Sequence, residues 1–176
     1  QLMKWFQDCS KLFAQANMVM KWTTPMGFPV EMDYRYLIPF KVKTAISGSL
    51  VYTTYRRELN RKDSRKYSSS CSPNIVHSLD GAICQGVALY CKNADNPIND
   101  LLMVHDSFAT NPNRVDQLHQ IIRQVVIDLF KTDYLERLYN DWSSQLPEKL
   151  RTRLRRPPQQ GNLDINEIAK SKYFFS

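Results

Sequence analysis

The stretch that most narrows the possible folds is NPINDLLMVHDSFATNPN, residues 96–113. In it Leu101, Leu102, Met103 and Val104 run without a break into His105, Asp106 and Ser107. Asn, Pro and Asp bound this run on one side and Asn-Pro-Asn on the other, the punctuation of a short strand covered on both faces. An ionised carboxylate at the end of a covered strand is costly to desolvate unless it is paired. The pattern therefore predicts a buried strand over Leu101–Val104 and a cation facing Asp106.

With 176 residues, 43% of them hydrophobic, the chain has the length and composition of one substantial domain, which argues against disorder. Its formal charge of +7 favours a polyanionic partner. No apolar run approaches the roughly 20 residues that span a bilayer, and the opening residues carry no secretory signal pattern. The cysteines, Cys9, Cys71, Cys84 and Cys91, form no C-x-x-C pair. His77, Cys84 and Cys91 recur every seven residues, about 10 Å apart along a helix, too far to share one metal ion. Reduced thiols are the expectation.

A helix is predicted over the opening segment QLMKWFQDCSKLFAQANMVMKW, with Leu2, Trp5, Phe6, Leu12, Phe13 and Met20 at helical spacing. No N-cap precedes them, so the helix is expected to continue from a longer polypeptide. Pro25-Met26-Gly27 marks a turn. Residues 42–55, rich in Val, Tyr and Thr and broken at Ser47-Gly48-Ser49, predict a β-hairpin turning at Gly48. RRELNRKDSRKYSSS follows, six basic residues against Glu58 and Asp63, ending in a serine run expected to be flexible.

From Ser72 to about Lys92 the spacing predicts a second helix, with Pro73 in its first turn. Ile75, Leu79, Ile83, Val87 and Tyr90 share one face; His77, Asp80 and Cys84 share another. Beyond the apolar strand, a long helix carries Val115, Leu118, Ile122, Val125, Leu129 and Leu135 as a stripe, with a break near Thr132-Asp133. A basic stretch, LRTRLRRPP, ends at Pro157-Pro158, and the tail holds a short helix before Tyr173-Phe174-Phe175. There is no internal repeat. The fold class is α+β with helix predominating.

From the residues alone, His105-Asp106 has three readings. It is a satisfied His-Asp pair capping a strand; or part of a metal phosphohydrolase site of the adjacent His-Asp type, recruiting His77 and His119; or an aspartate at the tip of a palm-type hairpin holding Mg²⁺ for nucleotidyl transfer. Mg²⁺ takes one or two carboxylates together with phosphate oxygens and water, which suits the third reading.

Resemblance separates them. HDSFAT, after an apolar strand and before a long helix, resembles the second catalytic-aspartate motif of bacteriophage-type single-subunit RNA polymerases. KWTTPMGFPV resembles that family's W-x-T-P-x-G-F-P-V segment, and SPNIVHSLDG resembles P-N-x-V-H-S-x-D-G. PPQQGNLDINEIAKSKYFFS resembles the family's C-terminal ending, with its P-x-x-G-N-L core and final aromatics. These four motifs stand in the family's order from Lys21 to Ser176.

The resemblance implies the C-terminal part of a right-hand polymerase fold. Residues 1–70 would supply a fingers-derived helix, a turn and a hairpin like the family's promoter specificity loop. Residues 71–176 would supply a palm helix, the catalytic hairpin, the long helix and a C-terminal foot, all as one continuous unit. It implies Asp106 as a Mg²⁺ ligand, His105 as its neighbour, and His77 beside the nucleotide sugar. Ser49 and Tyr52 would face DNA bases, although the hairpin does not match the family's base-reading residues. Arg56, Arg57, Arg61 and Lys62 would meet phosphates or else form a solvated charged face, and Phe174, Phe175 and Ser176 would form the foot. Partners would be template and promoter DNA, RNA product and ribonucleoside triphosphates, with no membrane. The family's first metal-binding aspartate, its nucleotide-binding lysine and its sugar-gating tyrosine have no counterpart here, so an upstream segment or a second polypeptide is expected to carry them. The form of HDSFAT points to a phage protein in the bacterial cytoplasm, with the mitochondrion as the alternative. A second function class is a nucleic-acid-binding remnant of a polymerase that has lost its chemistry.

Overall fold

Trp5, Phe6, Cys9, Leu12 and Phe13 fall on one side of the first helix, α1 (Leu2–Gln15), and are buried. The computed structural model describes residues 1–171 together with Tyr173 and Phe174. The helix stops sooner than its apolar spacing predicts, because Asn17 takes a left-handed backbone (φ 55°). The Met18 N–H then donates to the Phe13 carbonyl at 3.0 Å and the Asn17 N–H to the Ala14 carbonyl at 3.1 Å, closing a Schellman-type end. Met20 and Trp22 consequently lie in a strand, β1 (Met20–Thr23), which pairs antiparallel with β2 (Pro29–Met32).

The expected hairpin is present and much longer than the Val/Tyr/Thr-rich stretch suggests: β3 (Arg35–Ile46) pairs with β4 (Ser49–Lys62). Ser47 (φ 50°) and Gly48 (φ 82°) form its two-residue turn, both left-handed as the right-handed twist of a hairpin favours. The second helix, α2 (Ser64–Asn93), begins before the serine run rather than after it. The Asp63 carboxylate caps it, accepting from the N–H groups of Arg65 and Lys66 at 3.0 and 3.1 Å. Pro73 therefore sits inside the helix, not in its first turn. Burial of Tyr67, Cys71 and Ile75, one above another at four-residue steps, outweighs the weak propensity of the serines and the hydrogen bond lost at Pro73. The Tyr67 hydroxyl lies 3.0 Å from the Met18 carbonyl and 2.8 Å from that of Met32, and stitches α2 to the β1–β2 hairpin.

Two apolar clusters result, and α2 belongs to both. Its first half packs with α1, β1, β2 and α4 (Tyr134–Gln145), around Phe13, Met20, Tyr67, Leu138 and Trp142. Its second half packs on α3 (Val115–Phe130) through Ala82, Val87 and Cys91 against Leu118, Ile122, Val125 and Leu129. Val115, the first residue of the predicted stripe, remains exposed. The predicted break is real: Asp133 caps α4, accepting from the Glu136 N–H at 3.0 Å. Between α2 and α3, a Cβ on Gly86 would lie 2.6 Å from Val125 Cγ1, so glycine leaves room that a larger residue would not.

The strand β5 (Leu102–Val104) does pair, antiparallel with β6 (Ser107–Ala109), but it is not covered. Leu102, Met103 and Val104 are 65%, 39% and 59% exposed, contrary to the buried strand the run predicts. Among the described residues the chain forms three separate two-stranded sheets, so no third strand lies beside β5. Leu101 and Phe108 reach the α2–α3 cluster, while the face bearing Leu102 and Val104 turns outward. In the tail, residues Ile165–Lys170 make a 3₁₀ turn and Phe174 packs on the α2–α3 cluster. Tyr173 is 75% exposed; Phe175 and Ser176, expected in the foot, lie outside the described residues.

Candidate active site at the His105-Asp106 turn

Val104 pairs with Ser107, so His105 and Asp106 are the two residues of a tight hairpin turn. His105 carries a left-handed φ of 54°, a conformation glycine takes freely and that costs other residues about 1–2 kcal/mol. The turn is tied to α2: the Cys84 thiol donates to the His105 carbonyl oxygen across 3.1 Å. Burial raises the pKa of this thiol, and the nearby carboxylates of Asp80 and Asp106 raise it further, so it stays a neutral S–H donor.

On α2, His77, Asp80, Gly81 and Cys84 stand at i, i+3, i+4 and i+7, which aligns them on one face. That face and the turn enclose a cleft of about 620 Å³ lined by His77, Asp80, Gly81, Cys84, His105 and Asp106. The fold thus brings together the three residues expected to be catalytic, His77, His105 and Asp106, from positions about 30 apart in sequence. His119 lies on α3 and does not line the cleft. The phosphohydrolase reading needs its His-Asp pair on a helix, and here the pair is a hairpin turn.

The cation expected opposite Asp106 is not found: among the described residues, none forms an ion pair with it. The premise of burial fails, since the turn is exposed and water solvates the carboxylate. Among the described residues no cluster of three or more His, Cys, Asp or Glu side chains could hold a metal by itself. Asp106 and Asp80 nevertheless present hard oxygen donors to one cleft. Mg²⁺ binds such oxygens together with phosphate oxygens and water, so these carboxylates are the candidate donors of the cleft.

The β3–β4 ribbon stands out from the body with most of both faces exposed. Its register sorts the side chains by face. Pro39 with Arg56, Lys41 with Thr54 and Lys43 with Tyr52 make one face basic. Ile38 with Arg57, Phe40 with Tyr55 and Val42 with Thr53 make the other largely apolar, and the Phe40 and Tyr55 rings stack 5.8 Å apart. Lys41 and Lys43 were not singled out from the sequence, although strand alternation from Arg56 and Tyr52 reaches them. Ser49 and Tyr52 lie by the tip and are exposed; the Arg61 guanidinium lies 5.8 Å from the Tyr36 ring centre.

Lys62 is the exception in the basic run. It is only 8% exposed, and its ammonium pairs with Asp33, so it is not available to phosphates. The hydrogen bond from Lys62 holds the Asp33 carboxyl below the ordinary carboxylate range, with Arg35 adding to the effect. Near the tail, buried Arg123 donates to the carbonyl of His119 at 3.1 Å and to that of Ser171 at 2.6 Å. Its guanidinium lies 5.7 Å from the Phe174 ring centre. Arg123 was missed as well; the signal was a cation set between Ile122 and Val125 in an apolar stripe.

The sequence model of the DNA-dependent RNA polymerase family matches residues 1–154. A Nicotiana sylvestris protein named DNA-directed RNA polymerase 1, mitochondrial, is 34% identical over 99% of this chain and 16% of its own length. DNA-directed RNA polymerase 2A of Nicotiana tabacum is 32% identical over 99% of this chain and 50% of its own length. The Arabidopsis thaliana protein named DNA-directed RNA polymerase 1, mitochondrial, is 33% identical over 98% of this chain and 17% of its own length. The chain therefore spans between about one sixth and one half of these relatives.

Proposed function

The chain belongs to the DNA-dependent RNA polymerase family, in its phage-type single-subunit branch, and from that premise we propose that it supplies one part of a nucleotidyl-transfer site. The observation that carries this reading is the cleft shared by Asp106 at a hairpin tip and His77 on α2. In the reaction, the 3′-hydroxyl oxygen of RNA attacks the α-phosphate of a ribonucleoside triphosphate and loses its proton. A new P–O bond forms as the bond to the departing pyrophosphate breaks.

Asp106 would hold Mg²⁺, with the family's other aspartate coming from an upstream segment or a second polypeptide. Mg²⁺ bound there would acidify the attacking hydroxyl and neutralise charge on the phosphates. His77 lines the same cleft and would hydrogen-bond the nucleotide sugar. Cys84 holds the turn that aims Asp106. The basic face of the ribbon, Lys41, Lys43 and Arg56 with Tyr52, is suited to promoter DNA, its lysines and arginine positioning on phosphates. In the right-hand architecture this reading implies, residues 1–70 serve the fingers, and residues 71–176 the palm and foot. The relatives' names favour an organelle over the bacterial cytoplasm.

Asp106→Asn in the complete polymerase tests the reading. The amide keeps the shape but loses the charge, and the loss of a metal ligand should slow extension of a primed RNA–DNA scaffold roughly a thousandfold, on the order of 4 kcal/mol. Scaffold affinity should stay near its original value. Extension at the normal rate would remove Asp106 from the chemistry.

A further inference from the structure

We propose that the exposed Phe28 ring is a stacking platform for a nucleobase, in a second cleft that adjoins the Asp106 cleft along α2. This rests on the reading of Asp106 as part of a polymerase site. The second cleft, about 440 Å³, shares His77 and Gly81 with the first, so the two meet across one turn of helix. Phe28 and Val30 give it an apolar wall, and Asn74 and Gln85 bring amide groups to it. A flat apolar face with amide donors and acceptors at its edge matches the surface of a base, which has a π-face and a polar rim.

Phe28 is 55% exposed, yet it is not loosely held. Buried Thr24 ties the turn that carries it. The Thr24 N–H donates to the Phe28 carbonyl at 2.9 Å, and the Phe28 N–H donates to Thr24 Oγ1 at 3.1 Å. The Gly27 N–H donates to the Thr24 carbonyl at 2.9 Å, with Gly27 at φ 86°. The turn is also fixed relative to the cleft, because Trp22 on β1 donates its indole N–H to Ser78 Oγ on α2 at 3.0 Å. Glu31 lines the same cleft, but its carboxylate is paired with Lys21. Three hydrogen bonds thus fix the backbone that carries this exposed ring, which lowers the ordering cost of stacking.

The base belongs either to the nucleic-acid strand that leads into the cleft or to the incoming nucleotide, and one experiment separates them. Phe28→Ala, Phe28→Leu and Phe28→Trp are made in the complete polymerase, and scaffold Kd and ribonucleotide KM are measured separately on a primed scaffold. Phe28→Ala should weaken one of the two by roughly 5- to 150-fold, the range carried by one base–aromatic stack. A rise in Kd alone assigns the stack to the strand; a rise in KM alone assigns it to the nucleotide. Phe28→Trp should keep the original value and Phe28→Leu should not. Phe28→Ala behaving as the original protein in both measurements would overturn the proposal, as would Phe28→Leu restoring binding as fully as Phe28→Trp. Asp106→Asn run alongside separates the two ideas, because its failure to slow extension would sink the polymerase-site reading whatever Phe28 does to Kd.

Discussion

His105 holds a left-handed backbone one residue before the proposed metal ligand, and the only side-chain support for its carbonyl among the described contacts is the thiol of Cys84. Cys84→Ala removes that donor and should lower kcat severalfold at unchanged scaffold affinity, whereas Cys84→Ser keeps a hydroxyl donor and should recover most of the rate. Equal rates for all three proteins would show that the bond does not steer the turn. His77→Ala should raise incorporation of deoxynucleotides relative to ribonucleotides, since a site that hydrogen-bonds a hydroxyl rejects the analogue lacking it. Unchanged discrimination by a folded variant would return His77 to an ordinary surface position. At this scale the motifs marked His77, His105 and Asp106 as candidates, and the fold brings the three to one cleft. Lys62 was not readable. Within a basic run it looks like one more solvated cation, and its partner Asp33 is a distant residue that only the ribbon's return brings alongside. Nor was the exposure of Leu102 and Val104 readable, since an apolar run states a need for cover and does not say which element provides it.

Between elements, two contacts tie the described residues together. Gly86→Ala should destabilise the chain by about 1–3 kcal/mol, the usual cost of overpacking, because the new methyl would meet the Val125 side chain on α3 at 2.6 Å and force a shift there. Chemical denaturation reads this directly, and an unchanged midpoint would show that α2 and α3 separate freely. At the ribbon base, Asp33 has a lowered pKa in the folded chain, chiefly through the hydrogen bond from Lys62. A depressed carboxyl pKa stabilises the fold above its ordinary value near 4, and that contribution is lost as pH falls through the lowered value. The protection factor of the Lys62 amide, which donates to Asn17 Oδ1 at 3.0 Å, should therefore fall as the pH drops below about 4. Protection independent of pH there would remove the ion pair from the ribbon's anchoring. Element types were largely legible, and element limits were not. The end of α1 depends on Asn17 adopting a left-handed turn, and the start of α2 on the Asp63 cap and the burial of Tyr67, both tertiary decisions that override local propensity.

Among the described residues, three separate two-stranded sheets, the outward apolar face of β5 and a ribbon exposed on both sides leave much surface uncovered. The relatives, two to six times the length covered here, contain chain enough to supply both the cover for β5 and the second carboxylate that two-metal phosphoryl transfer requires. The most direct test is extension of a primed RNA–DNA scaffold with ribonucleotides and Mg²⁺, using this chain alone and then together with the remainder of the polymerase. The expected result is no product from the chain alone, and extension on adding the remainder that disappears with Asp106→Asn. Robust metal-dependent extension by the chain alone, or undiminished extension with Asp106→Asn, would contradict the assignment of half an active site to this chain.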